Sequence, residues 1–248
     1  NFQIGISGAV ENLSRLVDGT TLREMYYNDI NVTLPKLVKL INTLTIADAT
    51  NGMQGQGPLA LGEPAFLNMV YAGKNPAALD TIFCEASMLA IPECVETARQ
   101  SLPIKNIEVV GNDLDSLRYP LHPPIPNETP HPDIKVTDGR ACPACLNLMY
   151  SLTSRLIGLR GDKINLVIGP MIDESVLKKE RVVVLGDCAI RKLQELKVKA
   201  EAEIPENLDR VEQIVLLKKL LETKGAPKIT AVDKVRSKMK KLLSKVAV

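Results

Sequence analysis

Three of the five cysteines stand in surroundings that suit metal or redox chemistry. Cys142 and Cys145 form a Cys-x-x-Cys turn, and Cys188 follows the apolar strand predicted at residues 181–185. A Cys-x-x-Cys turn brings two thiolates within reach of one metal ion, one cluster or each other. The pattern predicts an iron–sulfur cluster, or alternatively zinc, held by Cys142, Cys145 and Cys188. A redox dithiol and purely structural thiols are the other interpretations.

The ligand count leaves the proposed centre incomplete. A closed zinc site or a four-iron cluster needs four protein ligands, and only three cysteines fit the pattern. His122 and His131 precede the strand that leads to the Cys-x-x-Cys turn, so either could complete the site, although both are expected to be surface residues. Cys84 and Cys94 have apolar helical neighbours and are expected to be small buried residues.

A second candidate site begins where a short apolar strand, predicted at residues 44–48, ends in an acid. The loop expected after this strand contains three glycines, and such a loop can bind a metal or hold an anion on its backbone amides. A tight structural loop is the alternative, because the glycine spacing matches neither a Walker loop nor a dinucleotide fingerprint. The predicted ligand pocket comprises Asn12, Asp48, Gly52, Gly55, Gly57 and Asp80.

The order of predicted elements indicates an α/β fold made of two layered units. Residues 119–132 contain six prolines in fourteen positions and are predicted to be a linker or an extended wrapping segment. They separate an α/β domain at residues 1–118 from a smaller α/β domain at residues 133–248. Residues 191–248 carry 15 Lys and Arg against 8 Asp and Glu, which predicts a basic C-terminal helical arm.

Composition narrows the classes of function. Aromatic residues make up only 3% of the chain, which argues against nucleic-acid binding by base stacking. No apolar run approaches the length of a transmembrane segment. Five cysteines in a chain of 248 residues fit reduced thiols better than a disulfide scaffold, and this predicts a cytoplasmic protein.

Three segments in the N-terminal part resemble the family catalogued as domain of unknown function 362. They are Gly5-Ile6-Ser7-Gly8-Ala9-Val10-Glu11-Asn12-Leu13, then Ile46-Ala47-Asp48 with Gly52-Met53-Gln54-Gly55-Gln56-Gly57-Pro58, and Ala72-Gly73-Lys74-Asn75-Pro76-Ala77-Ala78-Leu79-Asp80. The resemblance covers roughly the first 90 residues. The two cysteine turns are similar to an extension found in some members, which implies an iron–sulfur or metal module and anaerobic redox metabolism.

The chain departs from the family pattern in three respects. Glu11 stands where members usually have Lys. The stretch around Ile204-Pro205-Glu206-Asn207 lacks the cysteine that the extension usually supplies there. Members usually carry about a hundred further residues before the point where this chain starts. The resemblance therefore implies the C-terminal part of the family's domain, which a missing N-terminal portion or a partner subunit would complete.

These observations predict an iron–sulfur or metal-binding protein with an electron-transfer or accessory role. The alternative is a metal-free binding or assembly subunit of a larger complex. A small-molecule ligand is expected in the glycine-rich pocket of the first domain. The sequence specifies neither a reaction nor a substrate.

Overall fold

The computed structural model describes residues 6, 8–41, 44–56, 61–101, 106–125, 129–179 and 181–222. The chain divides into two compact units, unit 1 at residues 1–126 and unit 2 at residues 127–248. Helices combine with antiparallel ribbons in unit 1 and with a parallel sheet in unit 2, which confirms the predicted α/β class. The basic helical arm is predicted at residues 191–248, and its last part, residues 223–248, lies outside the described residues.

Unit 1 is built on a group of short helices. Asn75 begins the longest helix of this group by accepting hydrogen bonds from Ala77 N and Ala78 N, and Pro76 occupies its first position. The helices bury an aliphatic core that includes Val10, Ile30 and Leu34. Their bounds are α1 Ala9–Asn12, α2 Gly19–Tyr27, α3 Ile30–Thr33, α4 Pro35–Leu40, α5 Pro76–Ala86 and α6 Glu93–Ser101, with 3-10 turns at Leu13–Leu16 and Asp115–Leu117.

Two antiparallel ribbons complete the described part of unit 1. Strand β1, Thr45–Ala49, pairs with β4, Met69–Gly73, while β2, Gly52–Gln56, pairs with β3, Leu61–Ala65. The predicted glycine-rich loop is therefore a strand over its described residues. Glycine in a strand permits a close approach of backbone, and Gly55 has a φ of +66° that other residues rarely adopt.

The proline-rich segment lies alongside β2 over part of its length. The backbone N–H of Gly55 donates to the carbonyl of His122 at 2.8 Å, and the Gln56 side chain exchanges two hydrogen bonds with the backbone of Ile125. Side-chain amides thus replace the ladder that prolines cannot form. Residues 121–125 are an extended wrapping segment on unit 1.

Unit 2 is organised around a four-stranded parallel sheet in the order β5-β6-β7-β8. Its strands are β5 Ile134–Asp138, β6 Ile164–Ile168, β7 Val182–Leu185 and β8 Ala202–Ile204. Consecutive residues of β7, such as Val183 and Val184, are fully buried, so the sheet is covered on both faces. Strand β8, with only three residues, was not predicted.

The helices of unit 2 connect and cover the strands. They are α7 Pro143–Ser154, α8 Glu174–Leu177, α9 Asp187–Leu196 and α10 Arg210–Glu222. Helix α9 packs against β6 and β7, where Val167, Val184 and Leu193 belong to one apolar cluster. Helix α7 contacts β6 and α10. Across the described ranges of both units, we find no helix that is long and apolar enough to cross a membrane.

Candidate functional site

The two cysteines of the Cys-x-x-Cys turn lie at the carboxyl edge of the parallel sheet. The chain leaves β5 at Asp138, and Cys142 then precedes the first residue of α7, with Cys145 in its first turn. The turns after β7 and β8 meet at the same edge, where the Glu206 N–H donates to Asp187 Oδ1 at 3.0 Å. Parallel strands bring the loops at their carboxyl ends together, and α/β folds place sites there.

Three potential metal ligands converge at this edge: Cys142, Cys145 and Glu206. One ligand atom from each lies within 4.8 Å of the other two. The Cys145 thiol donates a hydrogen bond to Glu206 Oε1 at 3.0 Å. Gly186 allows this approach, because a β-carbon there would lie 2.5 Å from the Cys145 sulfur.

The two thiols have opposite protonation tendencies. A hydrogen bond from the Cys145 thiol, together with backbone N–H groups at the start of α7, lowers the pKa of Cys142 to about 7 against the effect of burial. The pKa of Cys145 is raised, chiefly because its proton is shared with Cys142, and burial and Glu206 act in the same direction. Cys142 is thus the thiolate of the pair, and Cys145 keeps its proton while no metal replaces it.

Cys188 and the two histidines are not members of this group of three. Cys188 is buried in the first turn of α9, beside Asp187, so its role as a ligand stays a prediction. His131 is fully buried, and its Nδ1 accepts a hydrogen bond from Asp133 N at 3.1 Å. The expectation that His131 lies on the surface was wrong, because its ring is packed where β5 begins. His122 belongs to unit 1 and is exposed, as expected.

Glu206 was not predicted as a site residue, although a signal for it was available. It stands in the stretch that lacks the fourth cysteine expected from the family resemblance. The apolar residues Ala202 and Ile204 alternate with Glu203, which is the pattern of a short half-buried strand. A carboxylate two residues beyond such a strand is a ligand candidate, because zinc accepts carboxylate oxygen as well as cysteine sulfur.

Most of the predicted ligand-binding residues of unit 1 line one cavity of about 520 Å³. Asn12, Asp48, Gly52 and Gly55 contribute to its wall. Gly57 lies outside the described residues. The structure thus brings four of the six predicted residues to one cavity, while their role in binding stays a prediction.

The sixth predicted residue, Asp80, is buried behind this wall. Its two carboxylate oxygens accept hydrogen bonds from Ala9 N at 2.6 Å and Val10 N at 2.8 Å. Burial raises the pKa of Asp80 to about 6, although these two hydrogen bonds oppose the shift. The carboxylate therefore anchors the start of α1 to α5, which is a structural task whether or not a ligand binds.

Among the comparisons with known proteins, a family model matches the N-terminal part of the chain. Residues 2–85 match the model of the family described as domain of unknown function (DUF362), which confirms the resemblance. The match does not support the narrower expectation that the segment is the C-terminal part of that domain, and it does not extend into unit 2. No curated protein and no solved structure matches the chain.

Proposed function

We propose that unit 2 is a metal-binding module that holds one divalent ion through Cys142, Cys145 and Glu206. The observation that carries the proposal is the convergence of two sulfurs and one carboxylate oxygen within 4.8 Å at the carboxyl edge of a parallel sheet. Zinc–sulfur bonds of about 2.3 Å in a tetrahedral site put two sulfurs about 3.8 Å apart, so only small shifts are needed.

The chemistry of the donor atoms favours zinc over an iron–sulfur cluster. Clusters are held by four ligands that are nearly always cysteine, whereas zinc accepts mixed sulfur and carboxylate sets. Binding would replace the proton of the Cys145 thiol, which donates to Glu206, so the metal would compensate the charges of the Cys145 thiolate and the Glu206 carboxylate. Three protein ligands leave a fourth position open, as in catalytic rather than structural zinc sites.

A redox or electron-transfer role is the second candidate. It is favoured by one observation, the lowered pKa of Cys142 beside a protonated Cys145, since a thiolate–thiol pair can be oxidised to a disulfide. All five cysteines are free, which supports a reducing compartment such as the cytoplasm. An iron–sulfur cluster at the site would fit the anaerobic metabolism that the family resemblance implies.

The test is the metal and acid-labile sulfide content of protein purified without oxygen. We expect one zinc per chain and no sulfide in the wild-type protein. Cys142→Ser and Glu206→Gln should each weaken zinc binding at least tenfold. Glu203→Gln is the matched control, because Glu203 is an exposed acid on β8, three residues from Glu206.

Each outcome discriminates between the candidates. Iron with an equal amount of sulfide would show that the site holds an iron–sulfur cluster and not zinc. If Glu206→Gln bound zinc as tightly as the wild-type protein, Glu206 would not be a ligand. A wild-type protein that takes up neither iron nor zinc would overturn the proposal and leave the metal-free binding or assembly subunit.

A further inference from the structure

The cavity of unit 1 follows the edge of strand β1. All five residues of β1, Thr45–Ala49, line it, although successive side chains of a strand point to opposite faces. The β1–β4 sheet has two strands, so the other edge of β1 is unpaired within the described residues, and a cavity that runs along this edge can reach all five residues. This explains why Asp48 and Tyr71, which lie on opposite faces of the β1–β4 ribbon, both line it.

The charge that lines the cavity is negative. The Thr50 backbone N–H and hydroxyl hold Asp48 Oδ1 at 2.9 and 2.7 Å, while Oδ2 has no partner among the described residues. These hydrogen bonds lower the pKa of Asp48 and keep it ionised. Asp80 adds a second carboxylate behind Gly8 and Ala9, which also line the cavity.

Positive side chains are absent from the described lining. No Lys or Arg contributes to it, and residues 1–7 and 57–60, which flank lining segments in the sequence, contain none. Unit 1 as a whole carries 8 Lys and Arg against 13 Asp and Glu, a net charge of −5. Such a field attracts cations and disfavours phosphates and carboxylates. Binding of an anion on the backbone amides of the glycine-rich segment is therefore less favourable than binding of a cation.

Apolar residues, two of them aromatic, share the rest of the wall with polar ones. Tyr71 and Phe83 both line the cavity, and their rings stack with centroids 5.6 Å apart and an angle of 12° between planes. The side-chain amides of Asn12 and Asn51 also line it and make no hydrogen bond within the described residues. A volume of about 520 Å³ is typical of a site for a small molecule.

We propose that this cavity binds a small organic cation, an ammonium group carried on an apolar body. The ammonium group pairs with Asp48 Oδ2, the apolar body packs near Tyr71 and Phe83, and the amides of Asn12 and Asn51 accept further N–H donors. Because Asp48 and Tyr71 lie on opposite faces of the ribbon, the ligand spans on the order of 10 Å.

The test compares three probes of the same shape and different charge: 4-phenylbutylamine, 4-phenylbutanol and 4-phenylbutyrate. Binding to the full chain is measured by titration with amide shifts in ¹H–¹⁵N NMR spectra. We expect the amine to bind at least threefold more tightly than the alcohol and the carboxylate to bind most weakly, as one exposed ion pair allows. The amides of Gly52, Gly55 and Asn51 should shift.

Two variants test whether Asp48 causes the preference for the amine. Asp48→Asn keeps the hydrogen bonds to Thr50 and removes the charge, so the preference for the amine over the alcohol should disappear. Asp113→Asn is the matched control, since Asp113 accepts a comparable hydrogen bond from Ser116 N and does not line the cavity. Equal binding of the three probes, no binding of the amine, or an unchanged preference in Asp48→Asn would overturn the proposal. None of these outcomes depends on metal in unit 2.

Discussion

The carboxylate of Asp80 occupies the space that a side chain at Gly8 would need. A β-carbon on Gly8 would lie 2.3 Å from Asp80 Oδ1 and 2.7 Å from Oδ2. The absence of a side chain at Gly8 lets the carboxylate reach the amides of Ala9 and Val10 across 70 residues of sequence. Two of the three segments that carry the family resemblance meet in this contact.

Gly8→Ala should therefore destabilise unit 1. The new methyl group must displace a buried carboxylate and break at least one charge-assisted hydrogen bond, at a cost of about 2–4 kcal/mol. Urea unfolding followed by circular dichroism measures the effect, since the chain has no tryptophan. Gly19→Ala is the control, because nothing lies within 4 Å of its β-carbon position. Equal stability of the two variants would contradict a close contact between Gly8 and the Asp80 carboxylate.

Asp80 should make the stability of unit 1 depend on pH. Its pKa rises from 3.8 to about 6 on folding, so the folded state holds the proton more tightly between these values. The free energy of unfolding should then fall by up to about 3 kcal/mol as pH rises from 4 to 7. Asp80→Asn lacks this titration, so the difference between wild type and variant should change with pH by that amount. A difference that stays constant would mean that Asp80 is ionised throughout.

Arg181 should contribute strongly to the stability of unit 2. Its guanidinium pairs with Asp162 at 3.0 Å and Glu201 at 3.1 Å and also donates to the Leu220 carbonyl, and it is only 15% exposed. Arg181→Met leaves Glu201 buried without its partner and should cost about 3–5 kcal/mol in urea unfolding.

Two further variants separate the buried charge from general disruption. The double variant Arg181→Met with Glu201→Gln should recover part of the loss, because the unpaired charge is gone. Arg99→Met removes an exposed pair with Glu96 and should cost less than about 1 kcal/mol. A loss as small in Arg181→Met as in Arg99→Met would show that the buried pairs contribute nothing.

Gly186→Ala should weaken metal binding in unit 2. Gly186 has a φ of +95°, and its β-carbon would lie 2.5 Å from the Cys145 sulfur, so the sulfur must move. We expect zinc affinity to fall at least tenfold, with a strain cost of about 1–3 kcal/mol. Gly111→Ala is the control. Gly111 has a φ of +120° and nothing lies within 4 Å of its β-carbon position, so this variant carries backbone strain without a clash and should bind zinc normally.

The fold could be predicted in outline where local pattern was strong. Strand β7 lies at Val182–Leu185, where the apolar run predicted a strand at residues 181–185, and β1 lies at Thr45–Ala49, one residue from the strand predicted at residues 44–48. The run Ile107-Glu108-Val109-Val110 has the composition of a strand but forms none, and Val110 is exposed with no partner strand within the described part of the chain. A strand needs a neighbour, and a sequence pattern does not supply one.

The candidate sites also contain some contacts that the sequence predicts and others that it does not. Cys142 and Cys145 are three residues apart, so the sequence by itself determined that their thiols meet. Only the tertiary structure decided that Glu206, 61 residues after Cys145, joins them, and that Asp80 reaches the start of α1. The physical reason is that spacing along a helix or strand fixes local distances, whereas the meeting of distant loops depends on how strands order themselves in a sheet.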